Sequence, residues 1–127
     1  MIRNIIGLFV LAVFVSCGGD DGPPPAPQGA ALVFPEENSE CTTGTEVNQT
    51  STQVTFRWMA SSNTERYTLN VVNLNTNVPQ NLSTVSTSAS LTLAKGTPYS
   101  WSVTSQNASS DQVATSETWL FYNAGSQ

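Results

Sequence analysis

Four stretches of this chain alternate apolar with polar residues one for one, a period of two that belongs to strands with one buried face and not to helices. In residues 53–58 the side chains of Val54, Phe56 and Trp58 point one way, and those of Thr55 and Arg57 the other. Tyr67, Leu69 and Val71 repeat the pattern against Thr68 and Asn70, Leu91 and Leu93 open a third run, and Tyr99, Trp101 and Val103 form a fourth. Turn-forming clusters separate them: Ser61-Ser62-Asn63-Thr64, Asn75-Thr76-Asn77, Lys95-Gly96-Thr97-Pro98 and residues 106–111. Val72 and Leu74 fall in the opposite phase to Val71, which predicts a bulge near Val71 or a strand covered on both sides. Residues 78–89, with Pro79 and many Ser and Thr, suit an edge strand.

The two ends of the patterned region are less regular. Residues 30–35 read as a short first strand stopped by Pro35, and the polar stretch holding Glu36, Glu37, Glu40 and Glu46 reads as a loop. Residues 117–122 are apolar on both faces, as expected of a covered strand. Ser, Thr, Asn and Val are abundant and no stretch carries a helical period. The expectation is therefore all-β: a single antiparallel β-sandwich over residues 30–127, roughly the 100 residues such a domain needs, with about six or seven short strands.

What precedes the domain has a different character. Arg3 stands ahead of the eleven-residue apolar run from Ile5 to Val15. A bilayer core needs about 20 apolar residues, so this run has the length of a secretory signal rather than of a membrane span. It ends in Val15-Ser16-Cys17-Gly18-Gly19, which resembles the lipobox of bacterial lipoproteins, with Phe14 where leucine is usual. The resemblance implies cleavage after residue 16 and acylation of Cys17, giving a signal peptide over residues 1–16, a tether over residues 17–29 and a membrane partner reached through lipid. More than one acyl chain on Cys17 holds far more firmly than one, since each buried methylene contributes about 0.8 kcal/mol. The tether runs from Gly and Asp into Pro23-Pro24-Pro25-Ala26-Pro27 and is expected to act as a spacer of roughly 30 Å. Its opening Gly18-Gly19-Asp20-Asp21 resembles the acidic export signals of surface lipoproteins in the Bacteroidetes, implying an outer-membrane anchor with display on the cell surface.

The domain itself resembles a fibronectin type III or related immunoglobulin-like module. Trp58 at the end of one strand, Tyr67 on the next, and Leu93 followed by Tyr99 across the Lys95-Gly96 turn carry the resemblance. It implies that the Tyr99 hydroxyl ties back to the backbone at the corner.

Several function classes are excluded or weakened by composition. The chain has no histidine, which removes the commonest general base and metal ligand. Past residue 16 there are three bases, Arg57, Arg66 and Lys95, against nine acids, a formal charge of −6 with no basic face for nucleic acid. Cys41 has no cysteine partner besides Cys17 and is expected to be a half-buried structural thiol. The four glutamates of residues 36–46 lack a calcium-loop pattern. No enzyme, cofactor or metal site is expected. A binding or structural module on the cell envelope remains, with an unknown protein partner, or alternatively a glycan partner in a surface nutrient-uptake system. The aromatics of the last strand, Trp119, Phe121 and Tyr122, are the candidate ligand-facing residues, since both its faces are apolar and one pair has the chance to be exposed.

Radiolabelled palmitate should enter the wild-type protein in a bacterial host and not Cys17→Ser. Equal labelling of the two would refute the lipobox reading.

Overall fold

The computed structural model describes residues 24–125. The signal peptide expected over residues 1–16, Cys17 and the start of the expected tether lie outside the described residues. Ten strands and no helix occur among those described: β1 (Leu32–Phe34), β2 (Ser39–Cys41), β3 (Thr45–Asn48), β4 (Ser51–Trp58) and β5 (Arg66–Asn73), then β6 (Pro79–Thr84), β7 (Ser88–Ala94), β8 (Thr97–Gln106), β9 (Ala114–Thr115) and β10 (Trp119–Asn123).

They form two sheets. In the smaller, β7 pairs along β4 from residue 51 to 57, so β1 and β3 must share the other edge of β4, at its last and first residues respectively. The larger runs β2-β10-β8-β5-β6. There β5 lines one whole edge of β8, leaving the other edge to β10 at residues 97–101 and to β9 at residues 104–105. Between β9 and β10 the Ser116 hydroxyl accepts the Val103 N–H at 2.8 Å, and the Ser116 N–H donates to the Val103 carbonyl at 2.9 Å, so the ladder is bridged where the strand is interrupted.

The alternation places the core. Thr52, Val54, Phe56 and Trp58 of β4 turn inward against Tyr67, Leu69 and Val71 of β5 and Tyr99, Trp101 and Val103 of β8. Phe56 meets Trp101 edge-on at 5.1 Å and Phe121 at 5.8 Å, while Tyr99 stacks on Phe121 at 5.8 Å. Pairs of this kind add about 0.5–1.5 kcal/mol each beyond the area they bury. Several buried polar groups are matched across the sandwich, although the buried Trp58 indole N–H has no hydrogen-bond partner among the described residues. Asn123 Nδ2 donates to Thr52 Oγ1 at 3.0 Å and to the Ala94 carbonyl at 2.9 Å, joining the last strand to the opposite sheet. The Trp101 indole N–H donates to the Pro35 carbonyl at 3.1 Å.

Several expectations need correction. The acidic stretch after Pro35 is not a loop throughout, because it supplies β2 and β3. These strands are short and only Cys41 among their residues is buried, so no alternation marks them. The sandwich is not wholly antiparallel either, since β2 runs parallel to β10. Cys41 is fully rather than half buried, at 1 % exposure. No bulge interrupts β5, which keeps unbroken register with both β6 and β8. Val72 therefore simply faces outward, and Leu74 just beyond the strand is exposed. Packed structure also begins before Ala30. Pro27 is buried, Gln28 N–H donates to the Ser62 carbonyl at 3.1 Å, and Asn63 Nδ2 donates to the Ala26 carbonyl at 3.3 Å, so part of the proline run lies on the domain.

The edge position of residues 79–84 agrees with the sequence reading, with Pro79 opening β6 at the sheet margin. So does the corner: Tyr99 Oη accepts the Ala94 N–H at 2.8 Å. Tyr67 makes a similar bond at the other end of the sandwich, accepting the Ser61 N–H at 2.9 Å.

Replacing Tyr99 by Phe keeps the ring and strands the Ala94 N–H. The expected cost is about 1–2 kcal/mol, a fall in Tm of roughly 5–15 °C for a domain of this size, measurable by thermal denaturation. Tyr122→Phe, on an exposed ring, should change stability by no more than about 0.5 kcal/mol.

Candidate interaction surface

Strand β10 sorts its residues strictly by parity. Phe121 and Asn123 point into the core, whereas Leu120 and Tyr122 stand on the outer face of the larger sheet at 44 % and 40 % exposure. The covered strand expected over residues 117–122 is thus covered on one face only. Neighbouring strands bring matching residues beside the exposed pair. Register sets Pro98 opposite Tyr122 and Ser100 opposite Leu120 on β8. Val72 lies opposite Ser100, and Leu74 sits beside Pro98, where its N–H donates to the Pro98 carbonyl at 3.0 Å. On the other flank Glu40 of β2 is level with Tyr122. The result is a shallow groove of about 300 Å³ with Leu74, Pro98, Leu120 and Tyr122 as its apolar lining.

The turn before β2 closes its margin. Leu120 N–H donates to Glu37 Oε1 at 2.7 Å and the Leu120 carbonyl accepts the Asn38 N–H at 2.7 Å, with Asn38 in the left-handed region at φ 59°. Asparagine suits that position because its short polar side chain tolerates a conformation most residues avoid. Both backbone groups of Leu120 are thereby satisfied, and its side chain is held outward.

The remainder of this face differs in chemistry. Asn81 Nδ2 donates to Asn70 Oδ1 and Asn70 Nδ2 to Thr104 Oγ1, each at 3.0 Å, while the Thr68 and Ser83 hydroxyls lie 3.2 Å apart. These polar side chains satisfy one another across strands β6, β5 and β8. On this outer face the large exposed apolar side chains, Leu120 and Tyr122 with Leu74 beside them, gather at the groove.

Of the aromatics singled out from sequence, Tyr122 alone is exposed. Phe121 is not ligand-facing: it is 2 % exposed, stacked on Tyr99. Trp119 is partly buried, edge-on to Trp101 at 6.2 Å, and its indole N–H donates to Glu117 Oε1 at 3.2 Å. Trp58, Tyr67, Tyr99 and Trp101 all belong to the core. Leu74 and Pro98 were missed as site residues. The out-of-phase position of Leu74 was their only signal, and pairing across strands is needed to see that it falls beside Tyr122.

The glutamates do not converge. Glu37 and Glu40 flank the groove, whereas Glu46 on β3 pairs with Lys95 at 3.3 Å. No group of three potential metal ligands forms among the described residues. A larger hollow of about 530 Å³, bordered by Arg66, Asp111, Val85 and Val113, lies at the opposite end of the sandwich, beside the end where the chain meets the domain. No protein-family model matches the chain, and no curated protein matches it either.

Parity on β10 has a measurable consequence. Leu120→Ser should alter stability by less than about 1 kcal/mol, whereas Phe121→Ala, one residue along, should cost about 3–5 kcal/mol in urea denaturation.

Proposed function

We propose that this chain is a lipid-anchored protein of the bacterial envelope whose sandwich, fibronectin type III-like in form, serves without catalysis as an adhesion or protein-interaction module. The observation that carries the reading is the apolar groove of Leu74, Pro98, Leu120 and Tyr122, set on an otherwise polar sheet face at the end remote from the chain's approach. Exposed apolar groups gathered in one hollow are the usual mark of a recognition surface.

The geometry of attachment supports it. Asn107 Nδ2 donates to the Pro25 carbonyl at 3.4 Å and Asn63 Nδ2 to that of Ala26, so the chain joins the domain at the Gln106 end of β8. Pro98 is at the other end of that strand, eight residues or about 27 Å away at 3.3–3.4 Å per residue. From Cys17 to Pro24 is seven residues, a reach of at most about 25 Å. An acyl anchor on Cys17 would hold the Asn107 end near the bilayer and present the groove outward. This is a closer hold than a fully free tether allows, because residues 25–28 lie against the domain. Acidic Gly18-Gly19-Asp20-Asp21 favours the outer membrane and surface display.

Two features of the fold support the form of the domain: the Tyr99 corner bond and the arrangement of β4 and β7 facing β10, β8, β5 and β6. Glycan capture has less support. A stacking platform needs several exposed rings, and Tyr122 is the one large exposed aromatic among the described residues.

Orientation can be read with bilayer-borne quenchers. The protein in vesicles containing spin-labelled lipid would carry a fluorophore at Ser109→Cys or at Thr76→Cys. Strong quenching at position 109 and weak quenching at 76 is expected, and the reverse order or equal quenching would refute the proposed presentation.

A further inference from the structure

We propose that the groove beside Leu120 and Tyr122 receives a polypeptide segment carrying an apolar anchor flanked by lysine or arginine. This rests on reading the groove as a docking site, and it holds whether or not Cys17 is acylated. The lining sets the first half of the requirement. Leu74, Leu120 and Tyr122 are each more than a third exposed and Pro98 lies between them, so an aliphatic or aromatic side chain seated there removes apolar surface on both partners from water.

Charge sets the second half. Glu40 stands level with Tyr122, and Glu37 is held at the groove margin by the Leu120 N–H; both residues are exposed. Glu36 opens the same turn, its carbonyl accepting the Ser39 N–H. No base among the described residues lines the groove, although Lys95 stands next to Gly96, where a Cβ would lie 3.5 Å from the Tyr122 hydroxyl. Arg57 lies on the smaller sheet over the Phe34 ring at 5.0 Å, Arg66 is at the far end of β5, and Lys95 is paired with Glu46. The groove margin is therefore acidic with no internal counter-charge among its lining residues. An incoming anchor with acidic flanks meets repulsion, and one with basic flanks meets attraction.

The acidic margin disfavours a second copy of this chain as occupant. Two grooves placed face to face would bring Glu37 and Glu40 of one copy toward those of the other. Strand addition along β10 is also closed at this point, since both backbone groups of Leu120 are taken and β2 covers residues 121–123. Recognition falls to side chains in the groove.

The test uses the full chain, isotopically labelled and purified in an uncharged detergent. It is titrated with a short synthetic peptide alternating lysine with leucine, and separately with its glutamate counterpart, while amide shifts are followed. The lysine peptide should shift the amides of Leu74, Leu120 and Tyr122 and bind more weakly as salt rises, because exposed charges are screened. The double variant Glu37→Gln with Glu40→Gln should weaken it about three- to fivefold, with glutamine still able to accept the Leu120 N–H. Leu120→Ser should weaken it about tenfold. Equal binding of the two peptides, or no effect of the glutamine variant, overturns the basic partner and leaves the groove as a docking site. Unchanged binding by Leu120→Ser, or shifts confined to other faces, overturns the groove itself. Line broadening of groove amides that grows with protein concentration before any peptide is added would assign the face to self-association and overturn the proposal.

Discussion

Everything in this domain hangs on a cluster of rings donated by both sheets: Phe56 from β4 against Trp101 and Phe121, with Tyr99 stacked behind. Cys41 is the single cysteine among the described residues and is free, so no disulfide shares the task there. A sandwich of this size must then draw its stability from close packing, because it buries a smaller fraction of its surface than a larger domain. The cluster is central in another sense. Tyr99 and Phe121 are directly paired neighbours on β8 and β10, so one contact both fills the core and sets the register of those strands. A slip of one residue would exchange Phe121 for Leu120 or Tyr122 and turn the face inside out.

Polar groups inside the sandwich refine what the rings begin. Asn123 is fully buried and its amide reaches Thr52 and the Ala94 carbonyl, strapping the end of β10 to the opposite sheet. Tyr99 couples core and corner through the Ala94 N–H, and Trp101 reaches the Pro35 carbonyl just where the chain leaves β1 for β2. Such bonds add little net stability while made, yet a buried group left without its partner is costly. Their effect is to select one arrangement among compact alternatives.

That selection has an outward result. With Phe121 and Asn123 committed to the core, Leu120 and Tyr122 have nowhere to go but the outer face, and Glu37 and Asn38 hold the backbone there. The groove is thus a by-product of core packing that the flanking strands complete. Pro98 comes from β8, Leu74 from just past β5, and Glu40 from β2. The groove lies at the end of β8 remote from Asn107, where the described chain meets the domain.

Much of this was legible from residues alone, for a definite reason. Period-two alternation in residues 53–58, 67–71 and 99–103 reports burial directly, since adjacent strand residues face opposite ways, and it located the core of the all-β sandwich. Pro79 marked an edge because it offers no N–H to a neighbouring strand. Short strands with few buried residues leave no such trace, which is why β2 and β3 read as loop and why the parallel pairing of β2 with β10 was invisible. Residues 117–122 show the boundary most clearly. Their apolar character on both faces is a property of the chain, but which face is covered depends on how many layers the fold stacks above it. The sequence by itself determined the longer alternating strands, their inward faces and the acidic charge, but not the short β2, β3 and β9 that raise the expected six or seven strands to ten. Only the tertiary structure decided that Phe121 is core, that Leu120 and Tyr122 meet Leu74 and Pro98 in one hollow, and that Glu37 and Glu40 border it, because cross-strand neighbours are set by pairing between distant segments and not by local pattern.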